Sequence, residues 1–197
     1  MNVILASTSE SRRRVLTAAG VPFTVVPSTI DETILKEALL RQHTPLEKIA
    51  GALADAKALS VSQSHRNTLV LGGDQTLLFD GELISKCNDL TAAHALLSRL
   101  RGKQHQLIGG LTLALDNNIV WRDGEGADLW MRHFSDAFLD RYLKTEGTSV
   151  LSAVGCYKLE GLGAQLFHRI TGDYFAILGL PLLPLLAELR KQGVMPK

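Results

Sequence analysis

The chain has 197 residues, 46% of them hydrophobic and 21% charged, with six prolines, so it buries a core and is no disordered polyelectrolyte. Twenty-one basic residues against twenty acidic ones leave a formal charge of +1, which excludes a global field for nucleic acid or an anionic membrane; any anion site must be local. The two cysteines, Cys87 and Cys156, have no metal-ligand spacing, and a reduced cytoplasmic setting is the simplest one for them.

In chain order, residues 2–6 predict a buried strand and residues 9–19 a helix stopped by Gly20, with Ser7-x-x-Glu10 as its capping box. "PFTVVP" (22–27) predicts a second short strand, and residues 31–42 and 46–62 carry helical apolar spacing. "NTLVLGGDQTLLFDGELISK" (67–86) predicts a strand ending at Gly72-Gly73, then a hairpin turning at Asp80-Gly81. A helix over 89–101 leads to a second hairpin within 105–132, turning at Asp116-Asn117-Asn118, and to a helix over 135–146 closed by Gly147. A third hairpin is expected over 163–179 about Thr171-Gly172-Asp173, and Pro181 opens the last helix. The apolar stretch 174–189 holds Gly179, Pro181 and Pro184 and falls short of a membrane span, while "MNVILAS" is too short for a secretory leader. No repeat, linker or low-complexity run appears, so residues 1–197 are expected to form a single domain of mixed α/β class, with helices flanking a mixed sheet.

Three stretches could carry chemistry. In "LASTSESRRRVL" a strand feeds a helix whose free N–H groups, hydroxyls and guanidinium can converge on a phosphate; Ser9 and Arg12, three apart, share the face over the first turn. In "LVLGGDQT" an apolar run delivers Asp74, a candidate metal ligand or general base. Lys86, in "LISKCNDLT", lies at the far end of the same hairpin, so that Asp74 and Lys86 are expected in one pocket, the pairing that phosphoryl chemistry wants. Each residue also has a plain structural reading: a helix cap, a turn-capping Asp, a surface ion pair. Glu32, Lys57 and Glu160 are the remaining acids and bases of interest. No Walker motif, dinucleotide fingerprint, HExxH or GxSxG is present.

Taken in order, "LASTSESRRRVL", "DE", "GGDQT", "RLRGKQHQLIGGLTLA", "VGCYKLEG" and "ITGDYFAILGLPL" resemble the Maf family of nucleoside triphosphate pyrophosphatases, over nearly the whole chain. The resemblance implies a bent mixed sheet around a cleft between two lobes, a homodimer, and house-cleaning hydrolysis of a nucleoside triphosphate between its α- and β-phosphates with a divalent metal, Mg or Mn. It implies Asp74 as the catalytic residue, Asp74 and Glu32 as metal ligands, and Ser9, Arg12, Lys57 and Lys86 as phosphate-binding residues. Ser11, Gln75 and Glu160 fall on substrate-specificity positions. Gln75 and Glu160 look like the branch that prefers 7-methyl-GTP, and a carboxylate can accept two hydrogen bonds from a guanine edge. Neither nucleic acid nor membrane is an expected partner. Departures from the family pattern at Ser11, Cys87 and Ser152-Ala153 leave open an alternative, a nucleotide-binding regulator of septum formation with little turnover.

Overall fold

The computed structural model describes residues 2–196. Strand β1 (Asn2–Leu5) leads into helix α1 (Glu10–Ala18), then the short strand β2 (Thr24–Val25) and helices α2 (Glu32–Arg41) and α3 (Ile49–Ser62). Strands β3 (Thr68–Phe79) and β4 (Glu82–Ile84) form a hairpin, followed by α4 (Leu90–Leu100). Strands β5 (Gln104–Leu115), β6 (Asn118–Asp123) and β7 (Gly126–Met131) precede α5 (Asp136–Glu146). Strand β8 (Phe167–Gly172), the single-turn α6 (Tyr174–Ile177) and α7 (Leu182–Lys191) complete the chain. The eight strands make one mixed, open sheet in the order β2-β1-β3-β5-β7-β8, with β4 on β3 and β6 on β5. The mixed α/β class expected from the sequence is the class observed. No helix among the described residues is long and apolar enough to cross a membrane.

The chain divides into two compact units: one runs to Gln75, takes in Ile108–Glu125 and resumes at Asp173; the other comprises Thr76–Leu107 and Gly126–Gly172. In the first unit, β1 pairs in parallel with β2 and β3 and is buried on both faces. The strand period of two sends Val3, Leu5, Leu69 and Leu71 to one face, where they pack with Leu16 of α1 and Leu185 and Leu189 of α7. Ile4, Ala6 and Val70 go to the other face, under Ala58 and Val61 of α3. A strand covered on both sides reads as a continuous apolar run, which is why "VILA" and "LVL" were legible as strands. The β5–β6 turn places Asp116 and Asn117 at φ 49° and 63°, the left-handed pair that a two-residue hairpin demands.

The second unit buries Phe79, Leu97, Leu100, Leu129, Leu139 and Val150. Beside them His105 is buried, its Nε2 2.7 Å from the Tyr157 hydroxyl and its Nδ1 without a hydrogen-bond partner; burial pushes the imidazole down to about 4. Tyr157 packs edge-on against Phe167 with ring centroids 4.8 Å apart. Cys87 and Cys156 are both free thiols, and burial pushes the Cys156 thiol up to about 12.

Three local expectations are corrected. β3 does not stop at Gly72-Gly73; it runs through them, because a methyl-free surface there lets α3 lie against the strand. The segment after Gly172 does not return as a hairpin strand: the Asp173 carboxylate accepts from Ala176 N at 2.8 Å and caps a helical turn, while β8 pairs backwards with β7. The cap of α1 is Ser9, whose Oγ accepts from Arg12 N at 3.4 Å, so Ser7 and Glu10 form no capping box.

Candidate active site

The polar group of the first unit starts from two close approaches. A Cβ on Gly72 would collide with Ala54 O and with the backbone N and Cβ of Ala58, and one on Gly110 of β5 would collide with the backbone of Ala50 and Gly51. Helix α3 therefore sits on glycines of two strands. Lys57, buried and facing the strands, reaches the carboxylate of Asp74, one position beyond Gly73 on β3. Its Nζ donates to Asp74 Oδ1 at 2.5 Å and also meets Glu32 Oε1 at 3.0 Å. Glu32 is the first residue of α2, a start fixed by Asp31, whose Oδ1 accepts from Thr33 N and Ile34 N at 3.0 Å. In the "DE" pair, one acid caps and the other joins the group.

Arg12 enters from the first turn of α1. It is buried; its Nη1 donates to Ser7 Oγ at 3.2 Å and its Nε to the Gly179 carbonyl at 2.8 Å. Burial pulls the guanidinium below its usual range, and the fields of Asp74 and Glu32 push it back. An arginine stays charged under such opposition, so two cations and two anions share this corner and neutralise one another. Arg12, Lys57 and Asp74 are buried whereas Glu32 is exposed, so removing either partner of the buried Lys57–Asp74 pair strands the other at a cost of about 3–5 kcal/mol, and the Glu32 contact is screened by water.

The last turn of α6 supplies the floor. Ser11 Oγ donates to Leu178 O at 2.8 Å, and Gln75 Nε2 donates to Ala176 O at 2.8 Å and Ile177 O at 3.2 Å. Ser9, Ser11, Arg12, Glu32, Lys57, Asp74 and Gln75 thus belong to one unit, in two bonded groups. Glu32, Lys57 and Asp74 stand on one side, and Arg12, Ser11 and Gln75, tied to the 176–179 carbonyls, on the other, with Arg12 in the field of both carboxylates. Lys86 and Glu160 belong to the second unit: Lys86 is exposed just past β4, and Glu160 lies in an exposed turn before Gly161. The sequence offered Ser7 as a helix cap and not as the acceptor for Arg12, and it gave no direct sign of the carbonyls of 176–179 or of the packing purpose of Gly72. Ala54 and Ala58, four apart on α3, were the available signal for that close approach.

Among the described residues no three His, Cys, Asp or Glu side chains form a metal-sized cluster. Asp74 and Glu32 nevertheless converge on one cation, the Lys57 ammonium. Two hard oxygen donors fit an ion such as Mg²⁺, which is commonly held by one or two carboxylates and completes its shell with phosphate oxygens and water.

Fold and site define a mixed α/β protein whose polar centre interleaves buried cations with carboxylates. The chain belongs to the family described as Maf-like protein, whose model matches residues 2–192. It is 46% identical over 192 residues to a protein of Maricaulis maris (strain MCS10) named nucleoside triphosphate pyrophosphatase, covering 98% of this chain and 97% of that one. A Caulobacter vibrioides protein of the same name is 47% identical over 193 residues, 98% of this chain and 96% of its own. A Brucella abortus biovar 1 protein named 7-methyl-GTP pyrophosphatase is 42% identical over 192 residues, with 98% and 96% covered.

Proposed function

We propose that this protein hydrolyses a nucleoside triphosphate at the bond between its α- and β-phosphates, giving a nucleoside monophosphate and pyrophosphate. The observation that carries the reading is the Lys57 ammonium held between Asp74 and Glu32, with the buried Arg12 guanidinium in the field of both carboxylates. The names of the relatives support it, since both printed names are triphosphate pyrophosphatases.

Phosphoanhydride hydrolysis needs positioning and charge stabilisation more than a covalent nucleophile. Water attacks the α-phosphorus, the bond to the bridging oxygen breaks, and pyrophosphate leaves with the electron pair. Asp74 orients that water and accepts its proton at the carboxylate, which then passes to solvent. Arg12 and Lys57 hold phosphate oxygens and stabilise the charge gathering on the leaving group, with Ser9 at the helix entry. Asp74 and Glu32 would hold a magnesium or manganese ion, which would neutralise phosphate charge and polarise the scissile bond. Glu160 reads the base, and a carboxylate there favours a guanine edge, above all the cationic ring of 7-methyl-GTP.

The test is pyrophosphate release from a panel of nucleoside triphosphates with Mg²⁺ or Mn²⁺. Wild-type protein releases pyrophosphate, and Asp74→Asn lowers kcat by roughly 10²- to 10⁴-fold, the usual weight of a positioned general base, while the fold is kept. An equally active Asp74→Asn variant would remove the assignment. Orthophosphate as the only inorganic product would contradict cleavage at the α–β bond.

A further inference from the structure

We propose that Ser11, Gln75 and Gly179 form a clamp that sets the plane of the Arg12 guanidinium, so that Ser11 and Gln75 act on the reaction as positioning residues through Arg12 and not by reading the base. The proposal rests on the pyrophosphatase reading above.

Four successive carbonyls, those of Ala176 to Gly179, each receive a side-chain donor. Gln75 takes the first two, Ser11 the third and Arg12 Nε the fourth, with distances between 2.8 and 3.2 Å. The Ala176 carbonyl also accepts from Gly179 N at 2.9 Å, and carbonyls at the end of a helical turn carry partial negative charge with a lone pair to spare, so they accept such donors readily. The guanidinium is planar, and a bond at Nε together with the Nη1 bond to Ser7 fixes both its plane and its rotation within that plane. Everything then depends on where the Gly179 carbonyl points. Gly179 has φ +83°, a conformation that glycine adopts freely, and the peptide that carries its carbonyl is tied to the same turn by Leu180 N, which donates to Phe175 O at 3.0 Å, so that carbonyl moves with the turn. Ser11 and Gln75 tie down that preceding turn. Both N–H groups of the Gln75 amide are spent on Ala176 and Ile177, which leaves it a single acceptor and little means to read a base.

The experiment is a double-mutant cycle on kcat/KM for pyrophosphate release, with a purine and a pyrimidine triphosphate as substrates. Gln75→Glu, Ser11→Ala and Ser11→Thr are each made in the wild-type and Arg12→Lys backgrounds, with thermal melts to confirm folding. In the wild-type background Gln75→Glu lowers kcat/KM by about tenfold to a hundredfold, by the same factor for both substrates. Ser11→Ala lowers it less, and Ser11→Thr, which keeps the hydroxyl, restores it. In the Arg12→Lys background Gln75→Glu adds less than about twofold, because lysine has no fork to align. A change in the order of the two substrates, or the same loss in both backgrounds, overturns the clamp. Gln75→Met, which removes the donors without adding charge, serves if Gln75→Glu does not fold. A wild-type protein that releases no pyrophosphate would overturn the proposed function instead. The clamp is then read by inorganic tripolyphosphate binding to the same variants, where equal losses in both backgrounds overturn it.

Discussion

Gly72→Ala puts a methyl group into the backbone of α3. The new Cβ would lie 2.7 Å from Ala58 N and 2.9 Å from Ala58 Cβ, and still nearer Ala54 O. None of these atoms is the end of a flexible side chain, so no rotamer change relieves the overlap, and the helix must lift off β3. Overpacking of this kind costs about 1–3 kcal/mol. For a chain of this length that lowers Tm by roughly 2–4 °C per kcal/mol, some 4–12 °C for a cost near the middle or top of the range. The functional loss is the larger signal. Lys57 precedes Ala58 on α3, and its Nζ must keep 2.5 Å to Asp74 and 3.0 Å to Glu32. A displacement near 1 Å at a reacting centre costs about 10² in rate, so kcat/KM for pyrophosphate release should fall about a hundredfold. Gly51→Ala on the same helix is the control. Nothing lies within 4 Å of its Cβ, so activity is unchanged and Tm is equal or slightly higher, alanine being the better helix former. Thermal melts and steady-state assays on the two variants decide the matter. A Gly72→Ala protein with wild-type Tm and rate would refute the idea that a glycine seats the helix and thereby places the lysine.

Two further outcomes are expected. His105 is held neutral, at about 4 against an ordinary 6.5, so its contribution is fully present above pH 6.5 and is lost as pH falls from there toward 4, by about 3 kcal/mol in all. Urea midpoints at pH 7 and pH 4 measure this: His105→Gln should lose about 3 kcal/mol less than wild type between them, and equal losses would show that another group carries the acid sensitivity. Glu160→Gln should move the nucleotide preference away from guanine bases at little cost in overall turnover; a preference left unchanged in the substrate panel would remove Glu160 from base recognition.

Much of this was written in the sequence, and the parts that were not share a cause. Strands covered on both faces were plain because burial demands uninterrupted apolar runs, α2 and α3 because their apolar residues keep helical spacing, and α1 and α5 because Gly20 and Gly147 close them. The acids and bases of the site were also legible as residue types, and the family resemblance gave them roles. What stayed hidden was the purpose of small or ambivalent residues. Gly72-Gly73 signals a bend as readily as a close approach, and only the surface of α3 selects between them. Thr171-Gly172-Asp173 suits a hairpin turn or a helix cap, and pairing of β8 with β7 decides it. On paper Ser7 and Ser9 are hydroxyl donors at a helix entry and Ser11 a substrate-specificity position. In the folded chain Ser9 caps α1, Ser7 accepts from Ser9 N and Arg12, and Ser11 binds the Leu178 carbonyl.

That distribution explains how such a charged corner stays ordered. Long cationic side chains carry large rotamer freedom, and a phosphate site built on mobile ones would forfeit much of its binding in freezing them. Here each charged group descends from a backbone feature fixed independently of any ligand. The Ser9 cap sets the start of α1 and with it Arg12, the Asp31 cap sets Glu32, and two glycines set the height of α3 and with it Lys57. The Asp173 cap sets the turn whose last carbonyl holds the Arg12 fork. Each cap contributes only about 1 kcal/mol to folding. Their weight in function is greater, because an error at any one passes undamped to a charge that must be right within a fraction of an ångström.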